Sequence, residues 1–158
     1  MKKLAFLFLF LGVALTSSAQ FEEGKMYFNG SLTGLGLSYN GTDDLNMGIQ
    51  AQSGYMFMDN LMVLGQVDFQ HYDNAADQVA FGARARYYII QNGLYLDAGL
   101  KYKHCADYND VMPGVELGYA FFISHTVTVE PAIYYDQSLK NHSDYSTVGL
   151  KIGFGIYL

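Results

Sequence analysis

The chain has 158 residues, with 9 basic and 15 acidic side chains, a single cysteine, no tryptophan, 51% hydrophobic and 16% aromatic residues. That length supports one domain with its own core and is short for two. The acidic balance makes nucleic acid a poor partner, and a lone Cys105 excludes an intramolecular disulfide.

The first element is an address. Lys2 and Lys3 precede an apolar run from Leu4 to Leu15, followed by Ser17, Ser18 and Ala19, the pattern of a secretory signal peptide cleaved after Ala19. The run is too short to serve as a helical anchor, which needs about 20 residues. Gln20, not Cys, would follow the cut, so a lipid anchor is not expected. The expected organisation is a signal peptide over 1–19 and one domain over 20–158. Without Lys2 and Lys3, seven basic residues face fifteen acidic ones, a formal charge of −8.

After residue 20 no apolar stretch is long enough to cross a membrane as a helix, and 17 glycines argue against long helices. The hydrophobic residues alternate instead, the period of a strand. Strand one is expected near Lys25 to Tyr39. Met26, Phe28 and Leu32 share one parity there and Leu35, Leu37 and Tyr39 the other, implying a bulge at Thr33 and Gly34. Strand two runs near Leu45 to Met58, strand three near Leu61 to Gln70 and strand four from Val79 to Ile90. Strand five starts at Leu94, strand six covers Val111 to Phe122, strand seven Val127 to Asp136, and strand eight Thr147 to Leu158.

Tight turns at Asp59-Asn60, Gln91-Asn92-Gly93 and Ser124-His125 alternate with longer connections at Asn40 to Asp44, Tyr72 to Ala76, His104 to Asp110 and Gln137 to Asp144. Eight strands in sequential order, trimmed at one end and looped at the other, predict an all-β, eight-stranded antiparallel up-and-down transmembrane β-barrel.

The two faces of the strands differ in kind. One is apolar, with Tyr39, Tyr102 and Tyr135 near the loops and Tyr55, Phe57, Tyr87 and Phe121 near the turns, the placement of two interfacial girdles. The other combines glycines with Asp68, Arg84, Arg86, Asp97, Lys101, Lys103, Glu116, Glu130, Asp136 and Lys151, five acids and five bases. Balanced charge and small residues suit the crowded interior of a narrow barrel. These ten are expected to form a closed, ion-paired lumen network, with Glu130 beside Lys151 and with Arg84 and Arg86 between Asp68 and Asp97. A soluble exported carrier of the lipocalin type would reverse the faces; it normally carries a Gly-x-Trp motif, and this chain has no Trp.

Over essentially all of residues 20–158 this plan resembles the small OmpA/OmpX-like outer-membrane β-barrel proteins. The resemblance is one of architecture. It implies an outer-membrane location in a Gram-negative bacterium, contact with outer-membrane lipid and lipopolysaccharide, and insertion by the outer-membrane assembly machinery. That machinery reads a last strand closing on an aromatic residue; here Tyr157-Leu158 puts leucine last.

Other residue clusters carry chemically capable side chains. Asp43, Asp44, Asp73, Asp77, Asp107, Asp110 and Asp144, against Lys140, form an expected acidic loop rim without the spacing of a calcium loop. His71, His104, His142 and Cys105 share no metal-ligand spacing. His142, Ser143 and Asp144 supply the residue types of a hydrolytic triad, but contiguously, so that their side chains diverge. The sequence therefore predicts a non-enzymatic, monomeric barrel without cofactor, metal or catalytic residues, serving envelope integrity or surface interaction. The alternatives are a lipid A-modifying enzyme and the soluble carrier.

Overall fold

In the computed structural model of the chain, the described residues are 21–33, 47–71, 78–89, 92–105, 108–140 and 146–158. They form eight strands: β1 (Met26–Thr33), β2 (Met47–Met58), β3 (Leu61–His71), β4 (Gln78–Tyr88), β5 (Leu94–Cys105), β6 (Tyr108–Tyr119), β7 (Val127–Asp136) and β8 (Thr147–Tyr157). Phe121–Phe122 continues β6 beyond Ala120. Each strand pairs antiparallel with its sequence neighbour. The ring closes where β1 meets β8, from Tyr27 opposite Tyr157 to Thr33 opposite Lys151. Closure leaves no sheet edge, which is what a β-structure inside lipid requires.

The tight turns at Asp59-Asn60 and Ser124-His125 lie where the sequence puts them; Gln91 of the third lies outside the described residues. Asn60 takes a left-handed conformation (φ 66°) between β2 and β3, and Gly93 (φ 95°) opens β5; Asn and Gly tolerate that region. The fourth strand stops at Tyr88, short of the expected Ile90. The connection expected from His104 to Asp110 is a correction: β5 runs to Cys105 and β6 starts at Tyr108, with Lys103 paired opposite Asp110. Period-two alternation continues through these residues, so Asp110 belongs to a strand and is 2% exposed. Thr33 ends β1 paired opposite Gly48 and Lys151; Gly34 of the expected bulge, the rest of the expected strand one and the connection from Asn40 to Asp44 lie outside the described residues. A register shift does occur in β2, between Met56 and Met58.

The break at Ala120 has a chemical cause. Gln137 N donates to Pro113 O at 2.8 Å, which makes these two a hydrogen-bonded pair that Pro113, lacking an N–H, cannot complete. The alternation of antiparallel pairs in steps of two then places Pro131 opposite Tyr119 with its missing N–H on the same seam. Both prolines of the chain thus interrupt the β6–β7 ladder, which is confined between them to Gly114–Gly118 against Ala132–Asp136.

Candidate functional site: a charged lumen inside an apolar wall

Strand alternation sends one set of side chains in and the other out, and the accessibilities separate the sets cleanly. In β8, Lys151 is 4% exposed and its neighbour Ile152 is 42% exposed. Ile49, Tyr55, Phe57, Val67, Phe81, Tyr87, Leu100, Tyr102, Ile133 and Phe154 all face outward and are exposed, so the wall is apolar outside and charged inside. A soluble carrier needs the reverse. Of the two expected girdles, Tyr55, Phe57 and Tyr87 are exposed near the turns and Tyr102 near the loops; Phe121 and Tyr135 are half-buried, and Tyr39 lies outside the described residues.

Inside, Arg86 is fully buried. Its Nε donates to Asp97 at 3.2 Å, its Nη1 to Glu130 at 3.0 Å and to the Tyr27 hydroxyl oxygen at 3.0 Å, and its Nη2 to Gln52 at 3.3 Å. The guanidinium also lies 3.9 Å from the Tyr95 ring centre and 5.2 Å from that of Tyr27, a desolvated cation–π arrangement. Glu130 accepts further bonds from Tyr27 (2.6 Å), Thr128 (2.7 Å) and Tyr157 (3.1 Å). A buried carboxylate is tolerable only with such partners.

One level nearer the loops, Arg84 binds the other oxygen of Asp97 through its Nε. Lys101 Nζ pairs with Asp136 at 2.5 Å, and Lys151 Nζ with Glu116 at 2.6 Å. Lys151 also donates to Gln50 at 2.8 Å, and Gln50 and Gln66 donate to Asp68 at 2.6 and 2.9 Å. Tyr95 completes Glu116 at 2.9 Å. Every one of the eight strands contributes a side chain to this buried web.

Two expected pairings need correction. Glu130 does not take Lys151: the register puts Glu130 opposite Gly153 and Lys151 opposite Ala132, and the lysine reaches Glu116 instead. Asp68 does not flank the arginines, because it sits opposite Ala80, four residues from Arg84; both arginines converge on Asp97. Lys103 is buried at the loop-side end, opposite Asp110.

Glycine makes the room. A Cβ at Gly155 would stand 2.5 Å from Glu130 Oε1 and from Thr128 Oγ1, and one at Gly149 2.5 Å from the Tyr134 hydroxyl. The large polar side chains thus occupy space that opposing strands leave by having no side chain.

At the turn end the lumen is sealed by rings that the sequence pattern did not single out. Phe21 is fully buried, stacked on Tyr88 at 3.8 Å and edge-on to Phe122 and Tyr157. It is held there by its backbone, since Asn60 N donates to Phe21 O at 3.0 Å, and Gly24 N and Met56 N bond to Met56 O and Lys25 O at 2.9 Å. Met56, Met62 and Leu64 fill the remainder. The barrel is closed by packing and ion pairs, not open as a pore.

The other chemical candidates come together less. His104 Nδ1 sits 2.5 Å from Asn109 Oδ1, and among the described residues no group of three or more His, Cys, Asp or Glu is placed to hold a metal ion. His142, Ser143 and Asp144, and every loop aspartate named above except Asp110, lie outside the described residues; of His71 and Cys105 only the backbone is described.

A closed antiparallel ring of eight strands, apolar outside and ion-paired within, is a small transmembrane β-barrel. Solved structures of that kind share its fold. The N-terminal β-barrel domain of Pseudomonas aeruginosa OprF superposes with a TM-score of 0.66 at 11% identity, covering 86% of this chain and 98% of that one. Neisserial surface protein A gives 0.60 at 12%, covering 84% and 95%. Ail, the attachment invasion locus protein of Yersinia pestis, gives 0.51 at 12%, covering 86% and 99%. No family model matches the sequence, and no curated protein does. At such identities the likeness is one of fold.

Proposed function

We propose that residues 1–19 are a secretory signal peptide removed after Ala19, and that residues 20–158 form a monomeric, non-enzymatic barrel in the outer membrane of a Gram-negative bacterium. It meets outer-membrane lipid and lipopolysaccharide on its wall, depends on the outer-membrane assembly machinery for insertion, and serves envelope integrity or contact of its loops with the surroundings. The observation that carries this reading is the polarity of the wall: Ile152 out and Lys151 in, repeated around a closed ring. Such a surface is stable in lipid and would aggregate in water. A lumen filled with its own side chains has no room for a substrate or a solute path. The names of two of the structural neighbours, a surface protein and an attachment locus, agree with a role at the cell surface.

Fractionation of cells expressing the full-length chain tests location, and mass spectrometry of the recovered protein tests cleavage. The expected result is outer-membrane recovery of a species starting at Gln20, with faster gel migration before boiling than after. Soluble periplasmic recovery without detergent would overturn the proposal.

A further inference from the structure

On the outer wall, over the β6–β7 seam, lies a depression of about 520 Å³ walled by Leu117, Ile133, Leu150 and Ile152. Its floor is sheet backbone: Gly118, Ala132 and Lys151 also line it, and Ala132 and Lys151 turn their side chains into the lumen. At its turn-side end stand Leu94, Tyr119 and Pro131. Tyr119 pairs opposite Leu94, the first residue of β5, and comes two residues before Phe121, which faces the wall near the turns. The register on either side places Pro131 opposite Tyr119, as a pair that should exchange two hydrogen bonds. Pro131 has no N–H to give, so the Tyr119 carbonyl lacks its ladder donor. Such a group is expensive in lipid, where no water replaces the missing partner. The rings of Tyr119 and Phe121, both half-buried, pack 4.3 Å apart beside it. An aromatic face attracts a cation.

We propose that this depression seats one phospholipid with a primary ammonium headgroup. The ammonium donates to the Tyr119 carbonyl and lies against the rings of Tyr119 and Phe121, while an acyl chain follows the apolar wall of Leu117, Ile133, Leu150 and Ile152. A quaternary ammonium meets the rings but has no N–H for the carbonyl. A hydroxyl headgroup meets the carbonyl but brings no positive charge to the rings. Pro131 thus makes the site, by leaving one acceptor of the wall for a lipid to satisfy. The inference rests on the membrane reading above and adds which lipid the wall selects, and where.

The test uses the protein as recovered from cells, refolded in phosphatidylcholine vesicles alone and with phosphatidylethanolamine or phosphatidylglycerol added. Wild type is compared with Pro131→Val, which supplies the missing N–H from within the chain; the comparison cancels what each lipid does to any barrel. Ethanolamine lipid should raise the folded-to-unfolded ratio of the wild type over that of the variant by roughly tenfold, the worth of a hydrogen bond to a charged group. In solid-state NMR with isotope-labelled ethanolamine headgroups, the headgroup nitrogen should contact the Tyr119 carbonyl carbon in the wild type and not in the variant. An inserted wild-type barrel without that contact would overturn the proposal, and so would the same tenfold gain from phosphatidylglycerol. Failure to give the heat-sensitive gel band in any of the vesicles would refute the membrane reading, and this inference with it.

Discussion

Replacing Arg86 by methionine keeps most of its volume and removes its charge and every one of its hydrogen bonds. Of its three carboxylate neighbours, Asp97 keeps Arg84 and Glu116 keeps Lys151. Glu130 keeps the hydroxyls of Tyr27, Thr128 and Tyr157 but loses the one cation paired with it among the described residues. Breaking a buried ion pair from one side costs about 3–5 kcal/mol, so Arg86→Met should lower the folding free energy by about that much. Since about 1.4 kcal/mol is tenfold, the folded-to-unfolded ratio should fall at least a hundredfold. The assay is reversible urea unfolding in lipid vesicles, followed by the heat-sensitive gel band. Glu130→Gln in the same background should recover part of the loss, with a coupling energy of about 2 kcal/mol in the double-mutant cycle. If Arg86→Met unfolds within about 0.5 kcal/mol of wild type, a change expected at ordinary surface sites, or if the two substitutions simply add, the lumen pair does not hold the barrel as described.

Three further outcomes follow from separate features. Phe21→Ala deletes a fully buried ring and should cost about 3 kcal/mol, measured as a lower urea midpoint with unchanged β-sheet circular dichroism. Gly82→Ala puts a methyl 2.5 Å from Leu100 O and 2.9 Å from Lys101 Cα, backbone that cannot step aside, and should destabilise by about 1–3 kcal/mol; Gly30→Ala, with open space around its Cβ position, should leave the midpoint within about 0.5 kcal/mol of wild type. Pro131→Val supplies the missing donor of the β6–β7 seam. Hydrogen exchange at the amide this substitution creates should be as slow as at its strand neighbours, with a gain of about 1 kcal/mol.

The sequence carried the wall of this barrel better than its interior. Alternation in Thr147 to Leu158 and in Val79 to Tyr88 fixes strand and face at once, because the side-chain period of a strand is two, and all ten lumen charges could be assigned to one parity. Who pairs with whom was not legible. Hairpin neighbours can be guessed from turns, but Lys151 on β8 reaches Glu116 on β6 past the intervening strand, a contact set by the width of the closed ring. Phe21 was invisible for a different reason: it lies before the first strand, outside any alternation, and its burial depends on Tyr88, Phe122 and Tyr157 meeting at one mouth. Asp110 reads as a loop residue because the polar stretch from His104 to Asp110 interrupts the apolar alternation, although β6 already begins at Tyr108. Pro113 and Pro131 fall inside two of the expected strands; only the register shows that both face the same seam.

The central claim is that the apolar face of the strands meets lipid. The chain has no tryptophan, so one introduced at Phe154, 57% exposed and paired opposite Gly30 in the middle of β1, would report alone. In vesicles with brominated acyl chains, the account predicts strong quenching of Phe154→Trp emission and no quenching by aqueous iodide. Quenching by iodide, with brominated lipid without effect, would put that face in water and contradict the membrane barrel.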